Sequence, residues 1–112
     1  MRRFLRRLYL AASELHPGVL LLLLAAHMTL SRVALDLAGE ADLHPPVSFL
    51  YWYATTASTV GYGDLSPKSD VGRLIAAFFV MPGAIALFTV VIARTFAGLA
   101  TRWRRRRTGA GD

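Results

Sequence analysis

The sequence predicts an all-α membrane protein, with two helices that cross a bilayer and a shorter one between them that enters part-way and stops. Three observations carry this. Two uncharged apolar runs, 18–31 and 74–93, are set far apart in the chain. Of 13 basic residues, ten lie near the two ends: Arg2, Arg3, Arg6, Arg7, Arg94, Arg102, Arg104, Arg105, Arg106 and Arg107. The stretch between the runs is apolar and aromatic where a plain connection would be polar. Composition agrees. The 112 residues are 54% hydrophobic and 18% charged, against roughly 45–50% and about 25% for soluble domains. The absence of cysteine excludes disulfide scaffolds, thiolate metal sites and cysteine nucleophiles. A formal charge of +6 raises nucleic acid as a partner. Arginines flanking apolar spans are better explained by a membrane, so no nucleic acid is expected. There is no clustered set of histidine and carboxylate ligands, no phosphate-binding loop and no nucleophile–base pair. Neither enzyme chemistry nor a small-molecule substrate is expected.

Taken in order, residues 1–16 form a cytoplasmic segment. Phe4, Leu5, Leu8 and Tyr9 are interleaved with arginines at a spacing that suits an amphipathic helix on the inner membrane surface. A disordered basic leader serving only topology is the alternative. The first apolar run holds five consecutive leucines but only 14 residues, short of the roughly 20 that cross about 30 Å of hydrocarbon. It extends to a helix over 17–38. Pro17 suits a first turn. Arg32 and Asp36 sit four apart and can pair, Arg32 can snorkel to the interface, and Gly39 is a good stop. A cleaved signal peptide is the competing reading. It lacks a small-x-small site in an uncharged setting, and cleavage would remove the second span's partner.

The second run has 20 uncharged residues, the length of one crossing. Ser69 or Asp70 can cap its start and Arg94 closes it. The helix is read as 70–99, followed by a basic tail, 100–112, with Trp103 as an interfacial anchor. Arginines outside both spans put both termini in the cytoplasm, at the cell membrane. Residues 39–73 then face outside, with mixed charges. Within them, Pro46 opens a helix over 46–57. About 12 residues give about 18 Å, too short to cross. Beyond it, non-helical backbone is tolerated at membrane depth only where protein buries it or it lines a water-filled cavity.

The next residues are Thr59-Val60-Gly61-Tyr62-Gly63-Asp64. With TVGYG after ATTAS and before DLSP, the chain resembles the potassium channel pore family, of the prokaryotic two-transmembrane type, over most of its length. The resemblance implies a pore domain over 17–99: outer helix 17–38, re-entrant pore helix 46–57, selectivity filter 59–63 and inner helix 70–99. It also implies a homotetramer with four-fold symmetry around a central pore. One filter copy cannot surround an ion, so the residues themselves already demand more than one chain.

The chemistry fits the residues. A potassium ion must shed its water in a narrow pore, and rings of backbone carbonyls can replace that water without a trapping charge. Turning carbonyls inward residue after residue needs alternating backbone conformations, some with positive φ. Gly61 and Gly63 supply these without steric cost. Val60 and Tyr62 then point outward, and the Thr59 hydroxyl can add an oxygen ring. By resemblance, the carbonyls of Thr59, Val60, Gly61 and Tyr62 bind K+, the permeant ion; no organic cofactor is implied. The pore helix C-terminus, with its unpaired carbonyls, favours a cation below the filter. Tyr51, Trp52 and Tyr53 are expected as a cuff around the filter, or alternatively as an interfacial belt. In the resemblance Trp52 pairs through its indole N–H with Asp64. Thr55 stands where a well-known relative has an acid bonding the filter from behind, which puts filter inactivation in doubt.

Pro82-Gly83 falls mid-helix. Pro82 removes the hydrogen bond to the Phe78 carbonyl, and Gly83 matches the family's hinge. By resemblance Ala84, Leu87, Val91 and Thr95 face the cavity, with a gate near 91–99; a static kink without a gate is the alternative. Ala76, Ala77, Gly83, Ala84 and Ala86 are small enough for close packing between copies. Arg102, Arg104 and Arg105 are expected to bind anionic lipid headgroups. His16 is a candidate sensor of cytoplasmic protons, and His27 a candidate for an interhelical hydrogen bond. The functional expectation is passive potassium conduction. A non-conducting accessory subunit that co-assembles with a larger channel is the alternative.

Overall fold

A computed structural model describes residues 1–109, the side chains of Tyr9, Ala12 and Ser13 excepted; the end of the expected tail, 110–112, lies outside the described residues. The helices are α1 (Arg2–Glu14), α2 (Pro17–Leu37), α3 (Pro46–Ala57), α4 (Asp70–Ile75) and α5 (Met81–Thr108). A 3-10 turn, Ala41–Leu43, comes after α2, and a π turn, Ala76–Val80, joins α4 to α5. No strand occurs among the described residues.

Local chemistry explains the ends. His16 caps α2, its Nδ1 accepting from the Gly18 N–H at 3.0 Å, so the candidate proton sensor is engaged as a helix cap. At the other end of α2, Gly39 takes φ +80°. The Glu40 N–H then reaches the Leu35 carbonyl at 3.1 Å and the Gly39 N–H that of Asp36 at 3.0 Å. That pair of bonds is the Schellman arrangement, which requires a left-handed residue. The Arg32 guanidinium lies 3.8 Å from the Asp36 carboxylate. Ser69 caps α4, its Oγ accepting from the Gly72 N–H at 3.0 Å.

Two expectations about the second long helix need correction. The helix does not end near 99: it continues through the basic stretch to Thr108, making one rod of 39 residues, Asp70–Thr108. Arginine is a good helix former, and Arg105, Arg106 and Arg107 sit in the last turn, where cations complement the dipole. The break around Pro82 is also absorbed differently. In the π turn the Met81 N–H reaches back five residues to the Ala76 carbonyl. The α-helix resumes at Met81 with Pro82 in its first turn, so the missing N–H falls where the hydrogen-bond register changes from π to α.

Helices α2 and α3 both pack on the rod. The core gathers Leu35, Leu43, Phe49, Trp52, Tyr53, Ala57, Ala76, Val80 and Ala84. Ala76 and Ala84 are therefore spent on contacts within the chain, not between copies, and Ala84 does not face a cavity. Alanine at these points lets helix backbones approach. Ala77 and Ala86 stay exposed. Helix α2 and the rod are each long and apolar enough to cross a membrane, and only 17% of each apolar window is buried inside the chain. The remaining apolar surface is left for lipid or other copies.

Candidate functional site

The site is the backbone of Thr59 to Gly63, which leaves the C-terminus of α3. The sign of φ alternates along it: Thr59 is at +65°, Gly61 at +56° and Gly63 at +76°, while Val60 and Tyr62 are on the ordinary side. Thr59 is the one positive-φ non-glycine among the described residues, a conformation that costs an L-residue about 1–2 kcal/mol. Nothing lies within 4 Å of a Cβ placed on Gly61 or Gly63. The glycines are needed there for backbone conformation, not for room. Val60 and Tyr62 are exposed in the single chain, at 56% and 70%.

Helix α3 anchors this segment. The Gly61 N–H donates to the Thr55 carbonyl at 3.0 Å, and the Thr59 N–H to the Thr56 carbonyl at 3.1 Å. Ser58 doubles back, its N–H and hydroxyl both donating to the Ala54 carbonyl at 3.0 and 2.7 Å. The last carbonyls of α3 are thus largely paired, contrary to the expectation that they stay open. The aligned peptides still point their negative end this way. The Thr55 hydroxyl turns into its own helix and donates to the Trp52 carbonyl at 3.0 Å. Behind the segment, Thr55 acts through its main chain.

The aromatic cuff also needs correction. Successive helix residues turn by about 100°, so three consecutive aromatics cannot face one target. Trp52 and Tyr53 are each 4% exposed and pack on Phe49, with ring centroids 6.1 and 5.8 Å away. Tyr51 is the one that meets the segment. Its ring stacks on Tyr62, and its hydroxyl lies near the Asp64 carboxylate. Trp52, expected on Asp64, is a core residue. The sequence offered three adjacent aromatics and no means of choosing between them before the buried face of α3 was known.

Glu40 was not singled out from the sequence. It is 4% exposed. Its Oε1 accepts from the Ser69 N–H at 2.9 Å and the Ser69 hydroxyl at 2.5 Å, and its Oε2 from the Lys68 N–H at 2.8 Å. Burial pushes its pKa up, but the Ser69 hydroxyl, the Lys68 and Ser69 amides and the Arg73 charge outweigh this and hold it below the ordinary value. Glu40 thereby ties the end of α2 to the start of α4, across the chain that carries the segment. Lys68 also pairs with Asp42, whose carboxylate raises the ammonium pKa.

The remaining candidates lie on the rod. Gly83 sits against His27 of α2. The Thr95 hydroxyl donates to the Val91 carbonyl at 2.9 Å. Val91 and Thr95 line a groove of about 610 Å³ with Pro17, Leu20, Arg94 and Arg102. The Arg94 guanidinium donates to the Leu15 carbonyl, joining the rod to the start of α2. Arg102, Arg104 and Arg105 are exposed on the last turns.

Comparison with known proteins bears on these observations. The profile of a family described as ion channels matches residues 18–100. The two pore potassium channel b of Oryza sativa subsp. japonica is 38% identical over 72 residues, covering 61% of this chain and 21% of that protein. The two-pore potassium channel 1 of Arabidopsis thaliana is 33% identical over 79 residues, covering 65% of this chain and 22% of that one. The human potassium voltage-gated channel subfamily KQT member 3 is 42% identical over 53 residues, covering 47% and 6%. The chain matches less than a quarter of the length of each of these relatives.

Proposed function

This membrane protein belongs to the ion-channel family, among its potassium channel pores, and on that premise we propose that it forms a potassium-selective channel. Ions pass down their gradient, without covalent chemistry. The observation that carries the proposal is the alternation of φ along Thr59–Gly63 at the end of a short helix held between two apolar ones. A chain whose φ alternates in sign can present successive carbonyls to one axis. Rings of such oxygens replace a hydration shell, and stacked rings let ions repel one another onward.

In this reading α2 is the outer helix, α3 a re-entrant pore helix, and the rod Asp70–Thr108 the inner helix. Four copies close the ring, and the carbonyls of Thr59, Val60, Gly61 and Tyr62 bind K+. The exposure of Val60 and Tyr62 in the single chain supports assembly, because those side chains then find neighbours. Asp64 and Tyr51 brace the outer end. Both termini lie in the cytoplasm of the cell membrane, the inner helix closes near Val91 and Thr95 below the Pro82-Gly83 bend, and Arg102, Arg104 and Arg105 hold anionic headgroups.

The test is the reversal potential of purified protein in bilayers under opposed potassium and sodium gradients. It should lie near the potassium equilibrium value. A value near that of sodium overturns the reading. An assembled homomer that passes no current overturns it in favour of an accessory subunit.

A further inference from the structure

We propose that His27 is a positioning residue that latches the π turn of the inner helix to the pore helix, and that residue 83 is glycine in order to seat this imidazole. The proposal deepens the channel reading and rests on it. His27 sits midway along α2, half-buried. Its Nδ1 is 2.7 Å from the Tyr53 hydroxyl of α3, and its Nε2 is 3.2 Å from the Phe79 carbonyl oxygen in the π turn. A carbonyl only accepts, so Nε2 carries the hydrogen. In the neutral ring Nδ1 is then the acceptor, and the Tyr53 hydroxyl donates to it. One ring thus satisfies a group on each of the other two helices. It also packs on both side chains, with ring centroids 5.9 Å from Tyr53 and 4.9 Å from Phe79.

Gly83 makes this approach possible. A Cβ there would stand 2.1 Å from Nε2, 2.7 Å from Cδ2 and 2.9 Å from Cε1 of His27. The ring cannot retreat from such a Cβ without leaving both hydrogen-bond partners. Gly83 is not among the positive-φ glycines and lies within α5. Its backbone conformation is one that alanine adopts as readily, so the requirement for glycine is spatial. On the far side, Tyr53 lies two residues before Thr55, whose carbonyl holds the Gly61 N–H at 3.0 Å. A change of bend at the π turn must therefore break or carry the His27 bridge, and the bridge ends on the helix that anchors the filter.

The test is a double-mutant cycle on the purified full chain. Gly83→Ala is introduced into the native and the His27→Ala backgrounds. Single-channel open probability in bilayers and the melting midpoint in detergent are both read. The latch predicts that Gly83→Ala alone changes the open–closed ratio about tenfold, the scale of one or two net hydrogen bonds. With His27 removed it should change the ratio less than about twofold. The melting midpoint should drop in the first background and recover in the second. Tyr53→Phe, which deletes only one hydroxyl, should also shrink the effect of Gly83→Ala. His27→Gln, whose amide can donate to Phe79 and accept from Tyr53, should lie closer to the native protein than His27→Leu.

An effect of Gly83→Ala that is equal with and without His27 overturns the proposal, because a hinge needs no imidazole. So does a Gly83→Ala chain that fails to fold in both backgrounds. The two readings fail separately. A conducting wild type with an additive cycle sinks the latch alone. A wild type that does not conduct sinks the channel reading, and the melting cycle then decides the latch.

Discussion

The rings of Tyr51 and Tyr62 lie parallel, with 2° between their planes and 6.3 Å between their centroids, and this contact joins the side of α3 to the Thr59–Gly63 segment. Aromatic stacking of this kind adds to simple burial. The Tyr51 hydroxyl also lies close enough to Asp64 to feel its carboxylate. Tyr51→Phe keeps the stack and loses the hydroxyl; Tyr51→Ala loses both. The rate at which current decays under sustained potassium flow should rise slightly in the first variant and by about tenfold or more in the second. Trp52→Phe should lower the melting midpoint, through lost core packing, and leave that decay rate alone. The reverse pattern would return the role to Trp52.

Glu40 predicts a pH dependence outside the spans. Its folded pKa is depressed, so its contribution is complete above the ordinary carboxylate range and is lost as pH falls through the depressed value. The melting midpoint of the native chain should be flat from neutral pH down to that range, then fall. Glu40→Gln should be less stable at pH 7 by about 2 kcal/mol, the scale of hydrogen bonds to a charged acceptor. The variant should lose its share of the acid-induced fall. Thermal melts in detergent at a series of pH values check both.

Gly61 is under a backbone constraint alone, since a Cβ there meets nothing within 4 Å. Gly61→Ala should cost about 1–2 kcal/mol per subunit through its φ of +56°. An assembled channel can relieve that cost only by turning the residue to negative φ, which misdirects a carbonyl. The expected result is an assembly that still elutes like the native one on a sizing column but whose reversal potential moves toward zero, or which passes no current. Unchanged selectivity would show that this φ is not required.

The last turns of α5 carry exposed arginines. Replacing Arg102, Arg104 and Arg105 together by Gln should weaken binding to vesicles containing anionic lipid by at least about tenfold, given what each basic residue contributes near such a surface. Binding to zwitterionic vesicles should not change. Raised salt should mimic the substitution. Vesicle co-flotation measures this directly.

Features that depend on neighbours within a helical turn were legible in the chain itself. The cap at Ser69, the stop at Gly39, the Arg32–Asp36 pair and the start at Pro46 each involve groups a few residues apart, and helix spacing dictates their geometry. The need for positive φ at Gly61 and Gly63 was legible too, once the resemblance carried by TVGYG implied carbonyls turned toward one axis. Which aromatic meets Asp64 was not, because the buried face of α3 sets the direction of Tyr51 and Trp52. Glu40 finds its partners 28 and 29 residues away, and His27 finds Phe79 across 52. No local spacing encodes such contacts; they exist only once helix packing has chosen which surfaces touch. For the same reason Gly83 reads as a hinge along the chain and as the seat of an imidazole in the fold.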